Sequence, residues 1–355
     1  MNPYLGTAVL VLVTSALFVV PLIPSLWELH RKSDAAALSV VQQHTGEIRY
    51  FADSFRGYIQ SLAPLLKECG RSGRMVAGTM MDGTDYVVLG CRGEALRLPV
   101  SSKEQDFQVL IAASGDLVVP PNTAFSKDMY VRGRLLGGTD NTYRAILGER
   151  DLRLGDRSSV LRWVHAVGDF HAGTDCRLYG RVSAEGAIRL GTGCRFSRLH
   201  APSIEIGQAP RLDHPSPVDS QSLAAGDEGA RVLHDGNFEI PPGPFGRSLV
   251  VRGRLHIRSG ARVYGNVKSW KDAVVEAGVW VKGSLVSARN LVIGPNCRID
   301  GPAIAERQIF ISTGTQVGEA EHLTTVSAPK IEVAEGVRIC GSLWAREHGQ
   351  AVAKS

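Results

Sequence analysis

From residue 119 onward the sequence is written twice, and that repeat restricts the fold more than any single motif does. VPP at 119–121, VRGRL at 131–135, TDCRLYG at 174–180 and HAPSIEIG at 200–207 return in the same order as IPP at 240–242, VRGRL at 251–255, PNCRIDG at 295–301 and SAPKIEV at 327–333. The starts differ by 240 − 119 = 121, 251 − 131 = 120, 295 − 174 = 121 and 327 − 200 = 127, so the register holds until a short insertion late in the second copy. A duplicated domain follows, and it sets the frame for every other motif.

Within each copy, apolar runs of three to five residues are punctuated by glycine, as in MYVRGRLLGG, DLRLGDRS, AIRLGTGCRF and APSIEIG. Such runs are too short for helices, and no helical crossovers separate them. The fold class is therefore all-β, a β-solenoid, in which stacked coils of short parallel strands fill a narrow core and glycines turn the corners. Alternation selects Val131, Leu135, Leu152, Leu154, Ile188, Leu190, Ile204 and Ile206 as inward in the first copy. The corresponding set in the second is Val251, Leu255, Ile257, Ile293, Ile309, Ile311, Ile331 and Val333, with arginines alternating on the wet side.

The chain opens without a charged side chain from Met1 through Trp27, and residues 4–26 are long enough to cross a hydrocarbon layer of about 30 Å. Tyr4, Leu10, Leu17, Phe18, Leu26 and Trp27 are the anchor residues of this expected transmembrane helix. A cleaved signal peptide would show a basic leader and a small-residue cleavage site, and neither is evident. Arg31 and Lys32, then Arg49, Arg56 and Lys67, follow the span, which places the bulk of the chain in the cytoplasm by the positive-inside rule. Next, Ile48, Phe51, Phe55, Ile59, Leu62 and Leu66 recur at helical spacing in a stalk that Pro64 and Gly70 are expected to end. Its stripe must be covered by the first repeat, by another copy or by the membrane. The expected organisation is an anchor at 1–32, a helical stalk at 33–70, a small β region or irregular first coils at 71–105, solenoid copies at 106–207 and 237–345, a flexible linker rich in Pro, Ser and Asp at 208–236, and a tail at 346–355.

The formal charge of +5 is modest for 355 residues, and no basic run interleaved with aromatics supports nucleic-acid binding. Cys69, Cys91, Cys176, Cys194, Cys297 and Cys340 form no close pairs and no zinc spacing, so they read as reduced thiols, with Cys176 and Cys297 at equivalent buried places. No Ser-His-Asp, phosphate-loop or dinucleotide signature is present, and no cofactor or metal is expected. The enzyme alternative is a hexapeptide-repeat acyltransferase on a left-handed β-helix, suggested by LRLGDRSSV, IRLGTGCRF and LVIGPNCRI. Its general base would be sought at His165 or His200, which lie 35 residues apart, about two coils, in the contexts VHA and LHA. Copy two has VSA at both places, with Ser287 and Ser327, as suits small polar positions beside a turn. Three histidines, His165, His171 and His200, are the local supply for a zinc site between coils.

Glycine-punctuated short strands in units of about a hundred residues, for example VRGRLHIRSGARVYGNV at 251–267, resemble the bactofilins over 106–207 and 237–343. The resemblance implies a right-handed parallel β-helix in two tandem copies and a bacterial, non-enzymatic scaffold that polymerises without nucleotide. It also implies an inner-membrane location, with itself, the membrane and envelope or surface-polysaccharide machinery as partners. Two copies, a full span and a stalk depart from the usual pattern. The last coil, IEVAEGVRICGSLWARE, runs nearly to the C terminus, so Ile331, Val333, Val337, Ile339 and Leu343 are the candidate residues of an uncapped self-assembly end.

Overall fold

A computed structural model of the chain describes residues 13, 14, 17, 48–91, 95–98, 106–207 and 231–353. The expected membrane span lies outside these residues except for positions 13, 14 and 17, and among the described residues no helix is long and apolar enough to cross a membrane. Of the anchor residues only Leu17 is described, with its side chain 70 % exposed. The chain divides into two units, residues 1–40 and 41–355. The architecture below is that of the second.

This unit is a β-solenoid of about 13 turns with a short helical segment on its flank. In the regular part of copy two parallel pairing advances by 18 residues per coil, Leu249 against Val267, Val267 against Leu285 and Leu285 against Ala303, and elsewhere steps of 16 and 17 occur, as in Ile188 against Ile204 and Val131 against Gly148. Each regular coil has three strands of two to four residues, so the solenoid has three faces. In the strand Leu285–Ser287 the two ends are buried and the central Val286 faces outward, and the same alternation repeats in Val267–Ser269 and Ala303–Ala305. All sixteen residues chosen as inward are at most 1 % exposed. The six-residue excess of the second copy is looped out between Gln316–Val317 and Thr324–Ala334, where Glu319 and His322 bond each other's backbone and the ladder resumes.

Corners are held by carboxylates and amides that accept a backbone N–H from the next coil. Asp116 takes that of Arg134 at 2.7 Å, Asp151 that of Asp169 at 2.9 Å, and Asn266 that of Ser284 at 2.9 Å. Each satisfies a turn donor that the ladder leaves unpaired.

The stalk residues that are described form α1 (Tyr50–Ile59), a 3-10 turn (Gln60–Leu62) and α2 (Ala63–Ser72). Pro64 sits in the first turn of α2, where its missing N–H costs nothing, and the helix ends instead at Gly73, whose φ of 71° closes it. Ile48, Phe55, Ile59, Leu62 and Leu66 are buried, and the two helices cover Val88, Leu110, Ala112, Leu147 and Trp163 on the first face of copy one. Of the three possible covers for the stripe, the first repeat therefore supplies it. Phe51 remains 44 % exposed, with the Arg181 guanidinium 5.0 Å above its ring. Residues 75–89 open the solenoid: Met75–Thr79 pairs antiparallel with Asp85–Leu89, which pairs in parallel with Leu110–Ala113.

The C-terminal end differs from the sequence expectation. The strand Arg338–Val352 takes in most of the expected tail, and it pairs antiparallel with Arg195–Ile206, the last strand of copy one. Leu199 lies opposite Leu343, Ala201 opposite Gly341 and Ile204 opposite Ile339. The two copies thus meet at their C-terminal ends. Turning one solenoid end over end reverses its strand direction, so like ends of two related coils can continue one ladder only by antiparallel pairing. Copy two consequently starts at the far end, in the strand Arg231–His234, inside the stretch expected to be linker. Six coil steps of about 4.8 Å separate that strand from the junction, and residues 208–230 at about 3.3 Å each cover that distance with length to spare.

Two outcomes test the pairings of the last strand, the leucine pair that with copy one and the glycine that with the preceding strand of copy two. Leu199→Ala and Leu343→Ala should each cost about 2–5 kcal/mol in denaturant unfolding, and the double variant should fall short of the sum because the pair shares one contact. Gly341→Ala should also destabilise, because φ is 123° and the added Cβ would meet the Thr324 carbonyl oxygen at 2.1 Å. Equal stability of either set would contradict the pairing.

Candidate functional site: the coil ends and a buried histidine ladder

The residues proposed as an uncapped end are buried. Ile331, Val333, Val337, Ile339 and Leu343 are all 0 % exposed; Ile339 and Leu343 are paired with copy one of the same chain, and Ile331 and Val333 lie between neighbouring strands of copy two. The expectation of an open C-terminal coil is corrected by this junction. Open edges lie elsewhere. Among the described residues Arg231–His234, Phe238–Ile240 and Gly243–Phe245, the first strands of copy two, pair on one side only, with Ser248–Val251, Leu255–Ile257 and Ala261–Val263. Leu233 is 47 % exposed there, while Val232, Phe238 and Phe245 are half-buried against the last layer of core. Among the described residues this edge has no second strand partner, and it has an apolar cross-section, the two properties that invite another coil.

His165 and His200 do share one face, as their spacing suggests. In the register His165 pairs with Ser183, Ser183 with His200, and His200 with Ser342 across the junction. The His165 ring lies 2.8 Å through Nδ1 from the Ser183 hydroxyl, and His200 lies 2.9 Å through Nδ1 from that of Ser342. The Glu185 carboxylate stands 3.9 Å from His165 Nε2 and is paired with Arg49 at the start of the helical segment. The register also shifts the sequence alignment by one place: Val286, at the centre of Leu285–Ser287, occupies the position of His165, and Ser287 that of Ala166. Copy two keeps only Ser327 as a polar equivalent, opposite Trp344.

Both rings are closed off from solvent, His165 at 1 % and His200 at 4 % exposure. Burial, reinforced by Arg49 and Arg56, pushes the His165 pKa down, and burial with Arg49 and Arg198 brings His200 to about 4. The Ser183 hydroxyl is buried with His165, whereas Ser342 is partly exposed at the junction. His171 points from the strand Phe170–Ala172 on another face, and among the described residues no group of three potential ligands could hold a metal ion. All six cysteines are free and buried. Cys176 and Cys297 each aim Sγ at a corner carbonyl, Gly155 at 3.3 Å and Glu276 at 3.0 Å, as small core residues. No family model, curated protein or solved structure matches the chain.

The depressed histidines set a pH dependence. Both are neutral in the fold, so below the ordinary value near 6.5 the unfolded chain binds more protons than the native one. Stability should therefore be full above about pH 6.5 and decline as pH falls toward 4. His200 alone should account for up to about 3 kcal/mol of that loss. Urea unfolding of His200→Gln should show a flatter profile across this window, and an unchanged slope would contradict the assignment.

Proposed function

We propose that this protein is a membrane-anchored, non-enzymatic scaffold of the bactofilin type: two right-handed parallel β-helices in tandem that self-assemble through a solenoid end and position cell-envelope or surface-polysaccharide machinery at the cytoplasmic face of a bacterial inner membrane. The observation that carries the self-assembly reading is the one-sided first coil of copy two. The opposite end of that copy mates with a related coil inside the chain, and this precedent supports the reading. The assembly surface accordingly moves from Ile339 and Leu343 to Leu233, Phe238 and Phe245. Anchoring rests on the uncharged opening of the sequence, and the partner class rests on the resemblance.

The full chain in mild detergent should form rods or filaments by negative-stain electron microscopy without nucleotide. Leu233→Lys with Phe238→Lys should reduce these to single solenoids with unchanged circular dichroism. Assemblies of the same length in that variant would refute the end contact, and a uniform monomer of the natural chain would refute the scaffold.

A further inference from the structure

The duplication provides an internal control for surface charge. At the corner joining the first and second faces, copy one carries Arg150, Gly168, Gly186 and Ser203, whereas the register-equivalent residues of copy two are Lys271, Arg289, Arg307 and Lys330. All four cations are exposed, and they stand in line. The Arg307 N–H donates to the Arg289 carbonyl at 3.0 Å and that of Lys330 to the Arg307 carbonyl at 3.1 Å. Lys271 lies one coil earlier, its carbonyl accepting the Ser287 hydroxyl at 2.7 Å. At one coil per step the row extends about 14 Å along the solenoid.

Neighbouring positions diverge in the same sense. Glu149 and Asp169 of copy one become Trp270 and Asn290, while Asp151 and Glu185 are kept as Asp272 and Glu306. Three cations gained and two acids lost make this corner five charges more positive than its counterpart. Among the described residues none of the four cations makes an ion pair, although Arg252 and Arg254 beside them pair with Asp235 at 2.9 Å and Asp272 at 3.8 Å. The fold does not require them. Copy one closes the same corner with no side chain at Gly168 or Gly186, where a Cβ would stand 2.1 Å and 2.2 Å from the Asp151 and Asp169 carboxylates. Stacked like charges repel, so the row is held at some cost by a fold that has no structural use for it.

Its surroundings indicate what it meets. Trp270, 50 % exposed with the Arg252 guanidinium 5.4 Å over its ring, adjoins the row, and Val274 and Val292, each 39 % exposed, flank it on the second face. The corner is a straight, convex ridge, which a plane touches along its length and a single polymer strand would touch along one line, leaving the tryptophan and valines bare. Cations with an amphipathic indole and exposed aliphatics are the side chains that settle at the headgroup level of a bilayer. We propose that this ridge docks the second copy onto an anionic lipid surface. The contact goes beyond the anchoring described above, since it uses no residue of the N-terminal span.

The test uses the full chain reconstituted with vesicles of neutral phosphatidylcholine or of phosphatidylcholine with phosphatidylglycerol. A headgroup-level spin-labelled lipid serves as quencher, and Trp270 emission is isolated as the difference from Trp270→Phe. Quenching is expected with the anionic vesicles, its loss in high salt, and its absence with neutral ones. Arg289→Gly, Arg307→Gly and Lys330→Ser together, which restore the residues of copy one, should lower the ratio of docked to undocked ridge about a hundredfold with circular dichroism unchanged. Equal quenching in both vesicles, or none in either, overturns the inference. So does a Trp270 response to soluble alginate without quenching by anionic vesicles, which would make the ridge a polysaccharide site. Flotation separates the two membrane contacts. A chain that floats with neutral vesicles but shows no anionic quenching keeps its span and loses the ridge, and one that floats only with anionic vesicles keeps the ridge and loses the span.

Discussion

Coil-on-coil backbone pairing, at a step of 16 to 18 residues in the regular turns, is the constraint on which the rest of this structure depends. Each coil satisfies its amides on the coil before and the coil after, so a residue added or removed must be taken up at a corner, clear of the strands that enclose a core only one layer of side chains across. The extra residues after Val317 are therefore expelled as a loop, and pairing resumes in phase at Val326. Corner residues obey the same step. The Asp151 carboxylate receives the N–H of Asp169, and that of Asp169 receives the N–H of Ala187, 18 residues apart each time.

A ladder of this kind is complete everywhere except at its two ends and on its outward faces, and the chain handles these differently. The C-terminal ends of the copies close on each other, with the apolar pairs Leu199 and Leu343, and Ile204 and Ile339, in the middle of the joint. The first face of copy one is covered by α1 and α2, pinned by the edge-to-face contact of Phe55 with Trp163 at 5.5 Å and by the Arg56–Glu149 pair at 3.0 Å. Copy two receives no such cover among the described residues, and there the outward rows carry Val250, Val286 and Ile304 half-exposed. Among the described residues the helical cover is thus confined to one copy of the duplication.

Much of the solenoid could be read from the residues. Short apolar runs, glycine punctuation and alternation picked sixteen inward side chains that are all in the core, and the 35-residue separation of His165 and His200 placed them two coils apart on one face. The one-place slip that equated His165 with Ser287 arose because VHA and VSA look alike, whereas burial at Val164 and Ala166 fixes which residue faces out. The Asp and Asn corner ladder carried a usable signal, acidic or amide residues recurring at 18, which becomes visible only once the coil length is known. The end contact carried none. Residues 142 positions apart, His200 and Ser342, meet because two halves are turned end over end, and no local pattern encodes that turn.

By itself the sequence determined that this chain is a duplicated, short-stranded β-solenoid with six core thiols, since periodicity and composition act within a coil and each coil reports its own inward face. Which edges remain open was decided by the tertiary structure alone. An end is free or closed according to what another part of the chain places against it, and the antiparallel joint between Arg195–Ile206 and Arg338–Val352 buries the coil that looked exposed, while among the described residues the strands at Arg231–His234, Phe238–Ile240 and Gly243–Phe245 have a partner on one side.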